Sequence, residues 1–203
     1  MHKNNHYLTI GVAIIFFISG VFYGSKFMFK NTRISIRNPV IKQKKVNDNK
    51  YLDFIYKLNP NLSVYQVKLI FKTIILQSKI YGINFKIPFF IIAEESRFNP
   101  YIQDYSYGLM QINPRIWNSE LRQDNIIKRY RNYFQIVPNI KSGIFILKKY
   151  QDLCEYYEKD HILGKMGYNN VTDCTILHYY GNVHSKFYLH RWYKFYGEFK
   201  YNN

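Results

Sequence analysis

The sequence predicts an all-α domain from about Tyr51 to the chain end, and three observations carry that reading. No stretch beyond Tyr51 alternates apolar and polar residues as a half-buried strand does. Apolar residues recur instead at three- and four-residue spacing. Residues that start and stop helices stand at the edges of these runs.

The first helix opens on Ser63 and Gln66, an S-x-x-Q signature in which each side chain satisfies an amide left unpaired at a helix start. Val67, Ile70, Phe71, Ile74 and Ile75 then share one face, and Gly82 is a natural stop. Pro88 suits the first turn of a second helix, where a missing amide hydrogen costs nothing. That helix carries Phe89, Ile91, Ile92 and Glu95, and it ends near Asn99 because Pro100 disfavours helix before it. Pro114 after Asn113 begins another. A longer helix begins at Asn139, with Ile140, Ile144, Leu147 and Tyr150 facing inward. Thr172 caps the next, which closes at Gly181, and an aromatic helix follows over residues 185–196.

Composition sets the wider frame. The 203 residues are 47% hydrophobic and 19% aromatic, enough to build a real core, and Lys plus Arg outnumber Asp plus Glu by 29 to 13. A net charge of +16 suits an anionic partner such as an acidic polymer or lipid. No RNA-recognition, zinc-finger or basic-zipper pattern is present, so nucleic acid is not the expected partner. Residues 7–25 carry no charge and, as a helix, would span about 28 Å, close to the hydrocarbon thickness of a bilayer. Segment 1–25 therefore reads as a signal anchor or a signal peptide, the uncleaved anchor being favoured because a cleavable peptide has a shorter apolar run. Residues 26–50 read as a basic linker and 51–203 as the folded domain. Cys154 and Cys174 match no metal-ligand spacing; they read as two small buried apolar residues, with pairing open to a domain outside the cytoplasm.

The chemistry concentrates in IIAEESRFNPYIQDYSYGLMQINPRIW, residues 91–117. Glu95 lies in the last turn of an apolar helix. Desolvation and the negative end of the helix dipole both raise its pKa, as a general acid near neutral pH requires. Glu94 points about 100° away around the helix and reads as solvated or capping. Downstream, Gly108 allows close backbone approach, Leu109 and Met110 offer apolar contact, and Gln111 offers an amide. Flat apolar faces with a few fixed hydrogen bonds are how sugars are held. His178 reads as a satisfied core residue, and Asp104 as a turn residue.

These motifs resemble those of the SLT-type lytic transglycosylases, a branch of the lysozyme-like superfamily. The resemblance rests on Glu95-Ser96, on Phe98-Asn99-Pro100, and on Gly108-Leu109-Met110-Gln111-Ile112 followed by Pro114. Asn139-Ile140 and Gly143 resemble a third family motif. The resemblance implies a lysozyme-like helical fold with Glu95 as the catalytic acid/base and Ser96 orienting the sugar. It also implies that Tyr107, Gly108, Leu109, Met110 and Gln111 line the cleft, and that Tyr179 or Tyr180 supplies a cleft tyrosine. The substrate implied is the glycan strand of peptidoglycan, cut between N-acetylmuramic acid and N-acetylglucosamine with closure of a 1,6-anhydro ring, without metal or cofactor.

The implied location is the cell membrane, with the domain facing the periplasm or cell wall. The Lys and Arg residues after the apolar run, Lys26 through Lys45, would by the positive-inside rule face the cytoplasm. The position of the substrate takes precedence over that count. Two alternatives remain at this level: hydrolysis of the same bond by a muramidase, and a non-catalytic tether between membrane and wall.

Overall fold

The computed structural model describes residues 48–181 and 185–201. The expected anchor over residues 7–25 and most of the basic linker lie outside the described residues. Among those described, no helix is long and apolar enough to cross a membrane.

Seven α-helices make up the described domain: α1 (Asp48–Leu58), α2 (Val64–Tyr81), α3 (Lys86–Ser96), α4 (Pro114–Gln123), α5 (Ile136–Lys159), α6 (Val171–Tyr180) and α7 (Lys186–Tyr201). A 3₁₀ turn over Tyr130–Phe134 precedes α5. Among the described residues no strand forms, only two isolated bridges, Gln103 with Tyr107 and Tyr107 with Ile112. The all-α expectation holds.

Local chemistry explains most of the boundaries. At α2, the Ser63 hydroxyl accepts from the Gln66 amide at 3.2 Å while Gln66 Oε1 accepts from the Ser63 amide at 3.0 Å. Gly82 ends that helix in the left-handed conformation. Asn113 caps α4 through its side chain, with Pro114 at the first position. Several boundaries differ from expectation: α3 stops at Ser96 rather than near Asn99, and the last helix runs on to Tyr201 rather than ending near 196. α1 starts inside the stretch that composition reads as linker, because Tyr51, Phe54 and Ile55 bury one face of it. α5 starts at Ile136, with Pro138 accommodated in its first turn. The cap of α6 is Asn170, whose Oδ1 accepts from the Asp173 amide at 2.9 Å; Thr172 lies within the helix.

α3 is the spine. Ile87, Pro88, Phe89, Phe90, Ile91, Ile92, Ala93 and Ser96 are all buried, so the helix shows solvent almost no face, as a central helix should. It packs against α2, α5, α6 and α7. Around its first half lies an aromatic cluster: Tyr51 meets Phe89 edge-on at 5.1 Å and stacks with Phe71 at 5.3 Å, and Phe90 meets Trp192 at 5.8 Å. Burial of rings this large supplies much of the driving force for the fold.

The second half of α5 is joined to α6 by a disulfide, Cys154–Cys174, with Cα atoms 5.9 Å apart. This corrects the reading of the two cysteines as free core residues. Both are indeed fully buried, beside Leu163, Tyr168 and Leu177, but as a pair. Closing a loop with a sequence separation of 20 restricts the unfolded chain by about 3 kcal/mol. The Cys154→Ser/Cys174→Ser variant should therefore lose about that much stability in urea titration. A loss near zero would show that the link does not constrain the unfolded state.

Candidate active site

The site begins at the C-terminal end of α3. Helix φ/ψ angles stop at Ser96, and the next two residues, Arg97 and Phe98, adopt left-handed conformations with φ of 49° and 60°. Non-glycine residues pay for such angles, on the order of 1–3 kcal/mol each, and hold them only where surroundings dictate. Here the surroundings do. Phe98 is wholly buried, its carbonyl accepts from Asn59 Nδ2 at 3.2 Å, and the Asn99 amide donates to the Ser96 carbonyl at 2.9 Å. Asn99 Oδ1 accepts from the Tyr101 amide at 3.0 Å, folding the chain into Pro100. The Glu-Ser-x-Phe-Asn-Pro motif thus builds the turn that ends α3 just past Glu95. Ser96 itself is buried and its hydroxyl donates to the Ile92 carbonyl at 3.1 Å.

Glu95 is partly buried, and Tyr188 of α7 donates its hydroxyl proton to Oε1 at 2.7 Å. Desolvation dominates its titration and raises its pKa to about 7. The Tyr188 hydrogen bond opposes that rise, the negative charge of Glu94 adds to it, and Arg191 subtracts. Glu94 is not the solvated residue expected. Its side chain is only 5% exposed and pairs with Arg191 Nη2 at 2.6 Å. Burial raises its pKa too, against the lowering effect of Arg191. Of the two neighbouring carboxylates, then, one is held by a cation and the other is left to carry a proton near neutrality.

The second motif forms a tight turn beside this helix end. Asn139 of α5, 1% exposed, holds it by three hydrogen bonds: Oδ1 accepts from the Met110 amide at 2.8 Å, and Nδ2 donates to the Tyr107 carbonyl at 2.8 Å and the Tyr133 carbonyl at 2.7 Å. A Cβ on Gly108, whose φ is +74°, would lie 2.3 Å from the Tyr133 carbonyl oxygen. One on Gly143 would lie 2.2 Å from Met110 Sδ. The glycines therefore serve backbone and side-chain packing inside the protein. Leu109 and Met110 are wholly buried, so their apolar contact is with the core. Gln111, with φ of 45°, donates from Nε2 to the Gly108 carbonyl at 2.8 Å and remains partly exposed, as does Tyr107.

The two tyrosines of α6 separate. Tyr179 donates to the Met110 carbonyl at 2.7 Å, locking the motif turn to α6. Tyr180 is exposed and stacks on Tyr188, ring centroids 4.0 Å apart. His178 is the satisfied core residue expected: it stacks on Tyr150, its Nε2 lies 3.2 Å from the Tyr168 hydroxyl, and burial lowers its pKa to about 4. Asp104 is an exposed turn residue whose amide donates to the Ser106 carbonyl at 3.1 Å. Tyr188 and Arg191 are what sequence reasoning missed. Both lie in the expected aromatic helix, but nothing in their local spacing sets them apart from the other rings and cations there.

Two consequences follow from this geometry. Gly108→Ala should destabilise the domain by about 2 kcal/mol or more, since both the strained angle and the clash must be relieved; an unchanged melting temperature would contradict the packing described. The second concerns pH. The folded-state pKa of Glu95 lies above its ordinary value of 4.5, at about 7, so the folded protein loses stability as pH rises through that window. Glu95→Gln escapes the loss. At pH 8 it should exceed the wild type by an amount bounded on the order of 3 kcal/mol, and at pH 4 by almost nothing. A stability difference independent of pH would mean that Glu95 titrates normally.

A family model described as the transglycosylase SLT domain matches residues 72–178. No curated protein and no solved structure matches the chain. The matched stretch is more than half of the 203 residues. It holds Glu95, the Gly108–Gln111 turn and Asn139, and it stops before Tyr188 and Arg191. With one motif ending α3, the other held against α5 by Asn139, and the family model covering more than half of the chain, the chain belongs to the transglycosylase SLT domain family, whose members act on peptidoglycan as lytic transglycosylases.

Proposed function

We propose that this domain cleaves the β-1,4 bond between N-acetylmuramic acid and N-acetylglucosamine and releases 1,6-anhydro-N-acetylmuramic ends, with Glu95 as the sole acid/base. The observation that carries this reading is the pairing at the end of α3: Glu95 proton-bearing near pH 7, Glu94 neutralised by Arg191. Glycosidases that use water commonly employ two carboxylates. Glu94, the carboxylate whose charge acts on Glu95, is already paired with Arg191. A single acid suffices when the substrate supplies its own nucleophile.

In the first step Glu95 gives its proton to the glycosidic oxygen as the bond from that oxygen to the muramic anomeric carbon breaks. The muramic acetamido oxygen stabilises the positive charge left on that carbon. The Glu95 carboxylate then takes the proton from the 6-hydroxyl of the same sugar, whose oxygen bonds to the anomeric carbon. The proton returns to Glu95 and no water is consumed. Intramolecular attack has the entropic advantage of a nucleophile already in place.

Tyr188 is a positioning residue in this scheme, holding Oε1 so that the other carboxyl oxygen faces substrate. Tyr180, exposed and stacked upon it, offers a ring to a sugar. Gln111 and Tyr107 supply polar contact, while Ser96, Gly108, Leu109, Met110 and Tyr179 fix the wall from behind. The Cys154–Cys174 disulfide favours an oxidising compartment outside the cytoplasm, which is where the glycan lies and where an anchor at residues 7–25 would hold the domain.

Digestion of purified sacculi in heavy-oxygen water tests the reaction. Muramic products should be anhydro forms without label; labelled reducing ends as the main product would make the enzyme a hydrolase. Glu95→Gln should lower turnover by a factor on the order of 10² or more. Tyr188→Phe removes a hydrogen bond that favours the ionised carboxylate, so the alkaline limb of its pH–rate profile should move upward from about 7. An unmoved limb would deny Tyr188 that part.

A further inference from the structure

α2 packs against α1, α3 and α5, and one of its faces is left exposed by the described residues. Along that face Tyr65, Leu69, Leu76 and Ile80 form an apolar row. Tyr65 is 73% exposed, Leu76 55% and Ile80 38%. Lys68, Lys72 and Lys79, all exposed, form a second row. At about 100° per residue the apolar row fills an arc of roughly 60° and the lysine row an adjoining arc of roughly 40°. The helix contains no acidic residue. None of the three lysines takes part in the ion pairs among the described residues.

We infer that this face of α2 docks on the surface of an anionic lipid bilayer. An acid-free helix with segregated apolar and lysine rows is the pattern of an interfacial helix. The apolar row enters the headgroup boundary and the lysines meet anionic headgroups beside it. The apolar residues argue for lipid over polysaccharide. Leu76 and Ile80 gain by leaving water for an acyl environment, whereas a glycan chain offers them hydroxyls and would call for flat aromatic rings. The charges argue for an anionic leaflet: each lysine near such a surface strengthens association about fivefold, and three act together. The inference is independent of the reaction proposed for Glu95. It gives the folded domain a membrane contact of its own, separate from residues 7–25.

The test uses the full chain in vesicles of phosphatidylcholine alone and of phosphatidylcholine with phosphatidylglycerol, so that any anchoring by residues 7–25 is common to both. Lysine reactivity toward an acetylating reagent that does not cross bilayers is read by mass spectrometry. On the anionic vesicles Lys68, Lys72 and Lys79 should react about tenfold more slowly than on the neutral ones. Lys165, exposed in the turn before α6, should be unchanged. Leu76→Ser/Ile80→Ser leaves every lysine in place and alters two residues of the exposed row, neither of them in the buried core, so it should fold by circular dichroism and lose the protection. Three results would overturn the inference: equal reactivity on both vesicles, slowing of Lys165 to the same degree, or protection that survives the double substitution. Equal protection of the three lysines by soluble polyglutamate would overturn it too, by assigning the face to anionic polymers.

Discussion

A carboxylate at the end of a helix buried on every side must find its partners elsewhere in the chain, and in this domain they come from the last helix. Tyr188 reaches Glu95 and Arg191 reaches Glu94, across more than ninety residues of sequence. The two contacts differ in kind. A cation beside Glu94 favours its charge, while a neutral phenol beside Glu95 favours the charge only modestly, less than burial disfavours it. Adjacent residues of the same type thereby acquire opposite tasks. Their own proximity widens the gap, since a charged Glu94 makes a second charge at Glu95 more costly.

The turn of the second motif depends on a different device, a single carboxamide that makes three hydrogen bonds. Asn139 satisfies three backbone groups drawn from the motif turn and the 3₁₀ turn, and it does so inside the protein, where unpaired groups are expensive. Gly143, one helical turn later, leaves room for Met110, and Tyr179 closes the arrangement from α6. Residues that would be read as sugar contacts are thus mostly the means by which a small turn is held still. Those left facing outward, Tyr107, Gln111 and Tyr180, are few.

How much of this was legible follows from the range over which each residue acts. Ser63, Gly82, Asn113 and Pro114 act on backbone groups within a few positions, so their helix boundaries can be read directly. Glu95 could be picked out because its helix is apolar on all sides, a property of its neighbours in sequence. Glu94 could not be placed: helix geometry gives its direction, but only the tertiary fold puts Arg191 there. Tyr188 was hidden for a similar reason, being one of 21 tyrosines with no local mark. The cysteines illustrate the limit from the other side. Burial was inferable from residue type, whereas pairing needed α5 and α6 to be antiparallel neighbours at the right height.

The left-handed residues connect stability to the site. Arg97, Phe98, Gly108 and Gln111 all have positive φ, and all lie in the two motifs that border Glu95. Only one is glycine, so the other three hold unfavourable angles at a cost that the fold must offset. The offset is visible: Phe98 is sunk in the core, Asn59 grips its carbonyl, and Gln111 folds its amide back onto Gly108. Unfavourable backbone angles held by contacts from elsewhere in the chain are the mark of a pre-organised site. In the reaction proposed, Glu95 gives a proton to the bridging oxygen and then takes one from the muramic 6-hydroxyl, and a carboxylate held in place suits both transfers.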